Sequence, residues 1–174
     1  FNRDDNLDLA VSNMYSDNVS VFLGDGTGAF GPRRNFVVGD QPRSIAAADV
    51  NRDGKLDLLV ANIYSNTVSV LRGVGDGTFS VGTPIAVGNN PFWLTTGDWN
   101  GDSAPDLAVA NAGDNDVSVF LNNGTGAFGG RIDYGVANQP LSVVNGDLNG
   151  DAKLDLVVTS ASSDIVSVLL GSGD

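Results

Sequence analysis

The stretch Asp147-Leu-Asn149-Gly-Asp151-Ala-Lys153-Leu-Asp155-Leu-Val-Val158 decides the architecture, because its pattern stands in the chain four times. Asp49-Val-Asn51-Arg-Asp53-Gly-Lys55-Leu-Asp57 and Asp98-Trp-Asn100-Gly-Asp102-Ser-Ala104-Pro-Asp106 are full copies, and Asn2-Arg-Asp4-Asp-Asn-Leu-Asp8 is a clipped one. The last Asp falls at 8, 57, 106 and 155, a constant step of 49 residues. A fixed period of that length marks a repeat architecture. Oxygen-bearing side chains at alternate positions of a tight loop are what a hard cation prefers.

Each unit also carries four short apolar runs bounded by Gly, Asn, Asp or Pro. In the second unit they are Ser44–Ala48, Leu56–Ala61, Thr67–Leu71 and Pro84–Val87, and they read as strands. The third run alternates Val-Ser-Val in every copy, at 19–21, 68–70, 117–119 and 166–168, which predicts a half-buried strand. No segment has a helical period. Phe at 30, 79 and 128 keeps the same step, so one core slot is predicted to recur; Pro at 42, 91 and 140 keeps it too.

Four strands per 49 residues make one propeller blade, so the predicted fold is an all-β propeller of four-stranded blades. Small residues in the first run suit the innermost strand, where blades crowd the axis. The chain reads as one propeller segment with units at about 1–48, 49–97, 98–146 and 147–174. It opens inside a loop and closes after a third strand. That predicts fourteen strands, about three and a half blades. An open arc exposes sheet edges and blade faces. Self-association or continuation into further blades is therefore expected, and the start reads as a cut.

Composition narrows the function. The 174 residues include 21 acidic ones, all Asp, and eleven of these stand at the recurring positions of the four loops. The net charge of −12 is thus largely a ligand inventory, and only nine Lys and Arg oppose it. Nucleic acid and anionic membrane surfaces are poor partners for such a chain. No apolar run approaches the roughly 18 residues of a membrane helix. Neither His nor Cys is present. The commonest catalytic base and the thiolate nucleophile are therefore missing, and no catalysis is expected in this chain.

The chain resembles the FG-GAP/VCBS repeat family of calcium-loop propellers, nearest the bacterial VCBS type. The resemblance rests on Gly97-Asp-Trp-Asn-Gly-Asp102, Gly146-Asp-Leu-Asn-Gly-Asp151, Leu154-Asp-Leu-Val-Val158 and Val166-Ser-Val-Leu-Leu-Gly171. It implies metal ligation by loop positions 1, 3, 5 and 9, with the carbonyl of position 7. Carried over, one set is Asp49, Asn51, Asp53 and Asp57 with Lys55, and the next is Asp98, Asn100, Asp102 and Asp106 with Ala104. The third is Asp147, Asn149, Asp151 and Asp155 with Lys153, and Asn2, Asp4 and Asp8 form an incomplete set. An all-oxygen donor set favours Ca²⁺ over Zn²⁺ or Cu²⁺. Position 6 is Gly54 in one loop but Ser103 and Ala152 in the others, where a Cβ is penalised at positive φ, which predicts weaker metal binding by those two loops.

Residues on the rim opposite the loops differ between units, and binding concentrates on variable loops over a constant scaffold. Tyr15, Tyr64, Asn90, Phe92 and Trp93 are the candidates there, by stacking and hydrogen bonding; Phe92 and Trp93 also suit packing between blades. The expectation is an extracellular or cell-surface, calcium-stabilised module that adheres to or recognises a protein or glycan. A purely structural repeat subunit or spacer is the alternative.

Overall fold

The computed structural model describes residues 1–173, and within them fifteen strands and no helix form. Among the described residues no helix is long and apolar enough to cross a membrane. The first sheet runs β1 (Leu9–Asn13), β2 (Asn18–Phe22), β3 (Arg34–Val37). The second runs β4 (Pro42–Ala48), β5 (Asp57–Asn62), β6 (Thr67–Gly73), β7 (Phe79–Val81), with β8 (Ile85–Ala86) also on β6. The third holds β9 (Pro91–Gly97), β10 (Asp106–Asn111), β11 (Asp116–Phe120) and β12 (Ile132–Gly135). The fourth holds β13 (Pro140–Gly146), β14 (Asp155–Ser160) and β15 (Ile165–Leu169). Each is an antiparallel meander, and the sheets succeed one another as the blades of an open arc.

The fifteenth strand arises because the outer strand of the second blade is split. Pro84 has no N–H to donate, and Gly82 donates instead to the Val70 carbonyl at 2.8 Å. The chain steps off β6 there and rejoins it as β8. The blades therefore hold three, four, four and three strand positions.

The core lies between blades rather than within them. Val19 and Val21 of β2 meet Leu58, Val60 and Leu71 of the second blade. Leu59, Ala61 and Val68 meet Leu94, Leu107, Val109 and Phe120 of the third. Ala108, Ala110 and Val117 meet Val143, Leu156 and Val158 of the fourth. The first strands β4, β9 and β13 pack side by side, and runs such as Ala46-Ala47-Ala48 allow that closeness.

The half-buried reading of the Val-Ser-Val strand is corrected. Ser20, Ser69 and Ser118 are as buried as the valines beside them. A blade is covered on both faces, so its serines face protein and not water. Each is held by an asparagine of the preceding strand: Asn13, Asn62 and Asn111 donate to Ser20, Ser69 and Ser118 at 2.7, 2.9 and 2.7 Å. A buried hydroxyl without such a partner would be costly. Coverage fails on the two strands at the arc's ends. Val166 and Val168 are 60% and 51% exposed. At the other end Leu9 and Val11 are 44% and 38% exposed, although their equivalents Leu58 and Val60 are fully buried.

The same asparagines dictate a glycine. A Cβ on Gly39 would meet the Asn62 amide at 2.7 Å, and one on Gly88 would meet that of Asn111 at 2.5 Å. The third copy of this position is Ala137, and opposite it stands the smaller Ser160, whose hydroxyl donates to the Ala137 carbonyl at 2.9 Å. Gly88→Ala is expected to destabilise the chain by about 1–3 kcal/mol through overpacking. Adding Asn111→Ser should recover part of that loss. Chemical denaturation of both single variants and the double variant reads the coupling, and strict additivity would contradict this packing.

Candidate metal centre

All four loops lie on one rim, where the first strand of a blade hands over to the second. Their anchor is the ninth residue. Asp57, Asp106 and Asp155 are fully buried. One oxygen of each accepts the backbone N–H of loop position 2: Val50 at 3.2 Å, Trp99 at 2.9 Å and Leu148 at 2.9 Å. The other accepts the N–H at the end of the third strand: Gly73 at 2.8 Å, Asn122 at 2.7 Å and Gly171 at 2.8 Å. Asp8 repeats this with the Phe1 amino group and with Gly24 at 2.9 Å. Burial pushes the Asp57 and Asp106 carboxyls up, against the backbone N–H groups that favour the charged form.

Glycine at 24, 73 and 171 has a steric cause. A Cβ there would lie 2.1, 2.2 and 2.2 Å from the carbonyl oxygen of Leu7, Leu56 and Leu154. The third blade has Asn122 instead, whose amide donates to the Pro105 carbonyl at 3.0 Å and to the Val50 carbonyl of the neighbouring blade at 2.8 Å.

The earlier loop positions form a nested set of Asx turns. Asp49 accepts from Asp53 and Gly54, at 3.1 and 2.8 Å. Asp98 accepts from Gly101, Asp102 and Ser103, and Asp147 from Gly150, Asp151 and Ala152. Asn51, Asn100 and Asn149 each accept from the Asp two residues on. Asp53, Asp102 and Asp151 accept from the N–H of Lys55, Ala104 and Lys153. The Ala152 and Gly150 N–H groups hold the Asp147 carboxyl below its ordinary value. Each loop thus places three carboxylates and one amide along a single short turn.

That donor set suits a hard cation. A carboxylate oxygen that accepts one N–H keeps a second lone pair. In the clipped loop the Asn2 Oδ1 is buried without any partner, an orphan that a cation would satisfy. The carboxylates do not converge on their own: among the described residues no three His, Cys, Asp or Glu side chains are grouped closely enough to hold an ion. Cations of the chain stand nearby instead. Lys55 Nζ lies 3.3 Å from Asp53, and the Arg52 guanidinium bonds the Asp102 carbonyl of the next loop and lies 3.4 Å from its carboxylate.

The turn needs two left-handed residues, at positions 4 and 6, where the sequence pointed only to position 6. The φ values are 57° and 79° at Arg52 and Gly54, 75° and 65° at Gly101 and Ser103, and 79° and 66° at Gly150 and Ala152. Each full loop has one glycine and one strained residue, so the loop with Gly54 holds no advantage. The missed signal was Gly101 and Gly150 recurring where Arg52 stands.

On the opposite rim, the N–H of Gln41, Asn90 and Gln139 donates to the side chain of Asp17, Asn66 and Asn115 of the preceding blade, at 3.0, 2.9 and 2.9 Å. All six have left-handed φ. Asn90 is therefore a blade-to-blade clasp, and its carbonyl accepts from Ala112 at 3.0 Å. Phe92 lies under the Arg43 guanidinium, 4.0 Å from ring centre. Trp93 is 41% exposed, Tyr64 62% and Tyr15 89%. The two tyrosines occupy the same position of successive blades.

Replacing the strained residue should relax each loop. Ser103→Gly and Ala152→Gly are each expected to stabilise the chain by about 1 kcal/mol, and Gly54→Ala to destabilise it by a similar amount. Thermal melts check this, and a fall in melting temperature for both glycine variants would contradict the strain.

A sequence profile of the FG-GAP-like repeat matches residues 1–60, 49–109 and 98–158. None of the curated proteins compared matches the chain. Among solved structures, one of a functionally unknown protein from Desulfotomaculum acetoxidans DSM 771 aligns over 95% of this chain and 51% of its own, at 18% identity and a TM-score of 0.73. Kuenenia stuttgartiensis hydrazine synthase aligns over 93% of this chain and 46% of its own, at 20% identity and 0.58. An Agrocybe aegerita lectin, described as recognising non-reducing terminal N-acetylglucosamine, aligns over 96% and 50%, at 21% identity and 0.57. This chain thus spans about half the length of these structures, and at such identities the likeness concerns the fold. With three overlapping repeats matched along most of its length, the chain belongs to the FG-GAP-like repeat family and is built as a β-propeller.

Proposed function

We propose that this propeller segment is a calcium-stabilised, extracellular or cell-surface module that recognises a protein or glycan through the rim opposite its metal loops. It binds rather than catalyses. The observation that carries this reading is the exposure of Tyr15 and Tyr64, at one repeat position on turns held by backbone hydrogen bonds. Exposed aromatic rings on a rigid turn stack on a sugar face or anchor a protein partner at little entropic cost. The likeness to a lectin that recognises N-acetylglucosamine is consistent with the glycan form.

Calcium would be held by Asp49, Asn51, Asp53 and Asp57, and by the equivalent residues of the loops ending at Asp106 and Asp155. It would supply charge neutralisation and cross-link each turn. Such sites in the extracellular class have dissociation constants of about 10⁻⁴–10⁻³ M and fill outside cells, which supports the location.

A second reading has its own support. Leu9 and Val11 at one end, and Val166 and Val168 at the other, are the two halves of the blade-to-blade contact that recurs inside the chain. They suit a structural subunit whose open faces meet another copy or further blades.

A glycan array together with light scattering separates the two readings. Saturable binding by the folded chain, abolished by Tyr15→Ala with Tyr64→Ala at unchanged melting temperature, is the expected result. Polymerisation without any ligand would favour the structural reading. For calcium, EGTA should lower the melting temperature, and Ca²⁺ should restore it better than equimolar Mg²⁺. Roughly a hundredfold excess over the dissociation constant adds about 2.7 kcal/mol per site. An unchanged melt after verified metal removal would remove calcium from this account.

A further inference from the structure

The repeat is regular enough that its breaks stand out, and three of them meet in the second blade. Where the other blades have Leu23, Leu121 and Leu170, this one has Arg72. Where Asn35 and Asp133 accept from the serine of the neighbouring strand, at 2.9 and 2.7 Å, it has Pro84. Where Phe36 and Tyr134 stand, it has the smaller Ile85. All three substitutes line a groove of about 640 Å³ between the second and third blades, together with Val70, Thr83 and Phe128. Both of these blades hold all four strand positions. The groove therefore comes from the split outer strand, not from an unfilled place in the arc. Its volume falls among those of small-molecule sites, roughly 300–1,000 Å³.

The junction of the first and second blades shows what fills this space elsewhere. There Arg34 reaches from the outer strand to bond the Asp76 carbonyl at 3.0 Å. A Cβ on Gly77 would meet Leu23 at 2.6 Å and Arg34 at 3.1 Å. One step later the outer-strand position is Thr83, and the clamp has moved inward to β6: Arg72 bonds the Gly126 carbonyl at 2.9 Å. The groove is the room left by the outer arginine and by the ring of Phe36. Its base is a half-buried guanidinium between apolar walls. A guanidinium carries five N–H donors. Among the described residues the Gly126 carbonyl is the one acceptor bonded to Arg72, and no carboxylate lies within ion-pair distance of it. Its charge favours ionised Asp57 through space only.

We propose that this groove binds a small monocarboxylate that carries an apolar chain. The carboxylate takes the spare N–H groups of Arg72, and the chain lies over Val70, Ile85 and Phe128. Charge complementarity names the ligand class: a lone cation at the base of an apolar groove, in a chain of net charge −12, receives an anion with an apolar body. A guanidinium holds a carboxylate by two parallel bonds, and partial shielding from water strengthens them. The site uses neither Tyr15 and Tyr64 nor any oxygen of the metal loops, so it stands apart from the rim reading.

Octanoate is the probe, followed through the backbone amide shifts of Val70, Arg72 and Gly126 in the intact chain. Saturable shifts at these amides are expected, and octanol should bind roughly tenfold more weakly, for want of the charged pair. Arg72→Leu gives the second blade the residue of the other three. It should weaken octanoate by a similar factor and leave octanol unchanged. Thr83→Arg restores the arginine of the first junction and should close the groove to both. The comparison of octanoate with octanol needs no variant, so it stands even if a substitution perturbs folding. No saturation at millimolar octanoate, equal binding of octanol, or undiminished binding by a folded Arg72→Leu chain would overturn the proposal. Shifts centred on the exposed Val166 and Val168 instead of the groove would mark adsorption to an open blade face and equally overturn it.

Discussion

Everything on the loop rim depends on one buried carboxylate per blade. Asp57, Asp106 and Asp155 each tie the start of a loop to the end of a strand sixteen residues later. The charge is buried where desolvation opposes it, and two backbone N–H bonds hold it in place. Removing one such side chain would leave two buried donors unpaired, a cost of about 1–3 kcal/mol for each. Cation binding would offset the remaining desolvation, because the same oxygens keep free lone pairs. Folding and the proposed metal binding are thus linked through a single atom group rather than through the loop as a whole.

The clasp on the other rim works in the same currency. Side chains of Asp17, Asn66 and Asn115 close each blade onto the next by accepting a backbone N–H, and they sit in left-handed conformations to do so. Between the two rims the blade faces interlock through valines and leucines. The arc is held by polar pins at both ends of the strands and by apolar contact in the middle. Strain collects at these clasps and at positions 4 and 6 of the loops, where hydrogen bonds fix the backbone.

Much of this was legible in the sequence because the repeat is regular. The step of 49 residues located the loops, and runs such as Thr67–Leu71 fell inside the observed strands. The serines of the Val-Ser-Val runs were misread, because alternation signals one wet face only when a sheet is covered on one side. Ser118 lies between two blades, and that is a property of the stack, not of the strand. The second left-handed loop residue was hidden by Arg52, whose side chain says nothing of its φ. The split of the outer strand at Pro84 was local, and Pro in an edge strand was its signal. Of the rim candidates, Tyr15 and Tyr64 are exposed, whereas Asn90 is committed to the blade-to-blade clasp; no repeat pattern distinguishes those two situations.

The central claim is that the loops pinned by the buried aspartates are the places where calcium is held. Equilibrium dialysis of the chain against Ca²⁺ measures this directly. The account predicts three ions per chain, one for each full loop, with stoichiometry falling to two when Asp102 is replaced by Asn. Calcium uptake that remained non-saturable, or that was insensitive to Asp102→Asn, would show that the carboxylates serve the backbone alone.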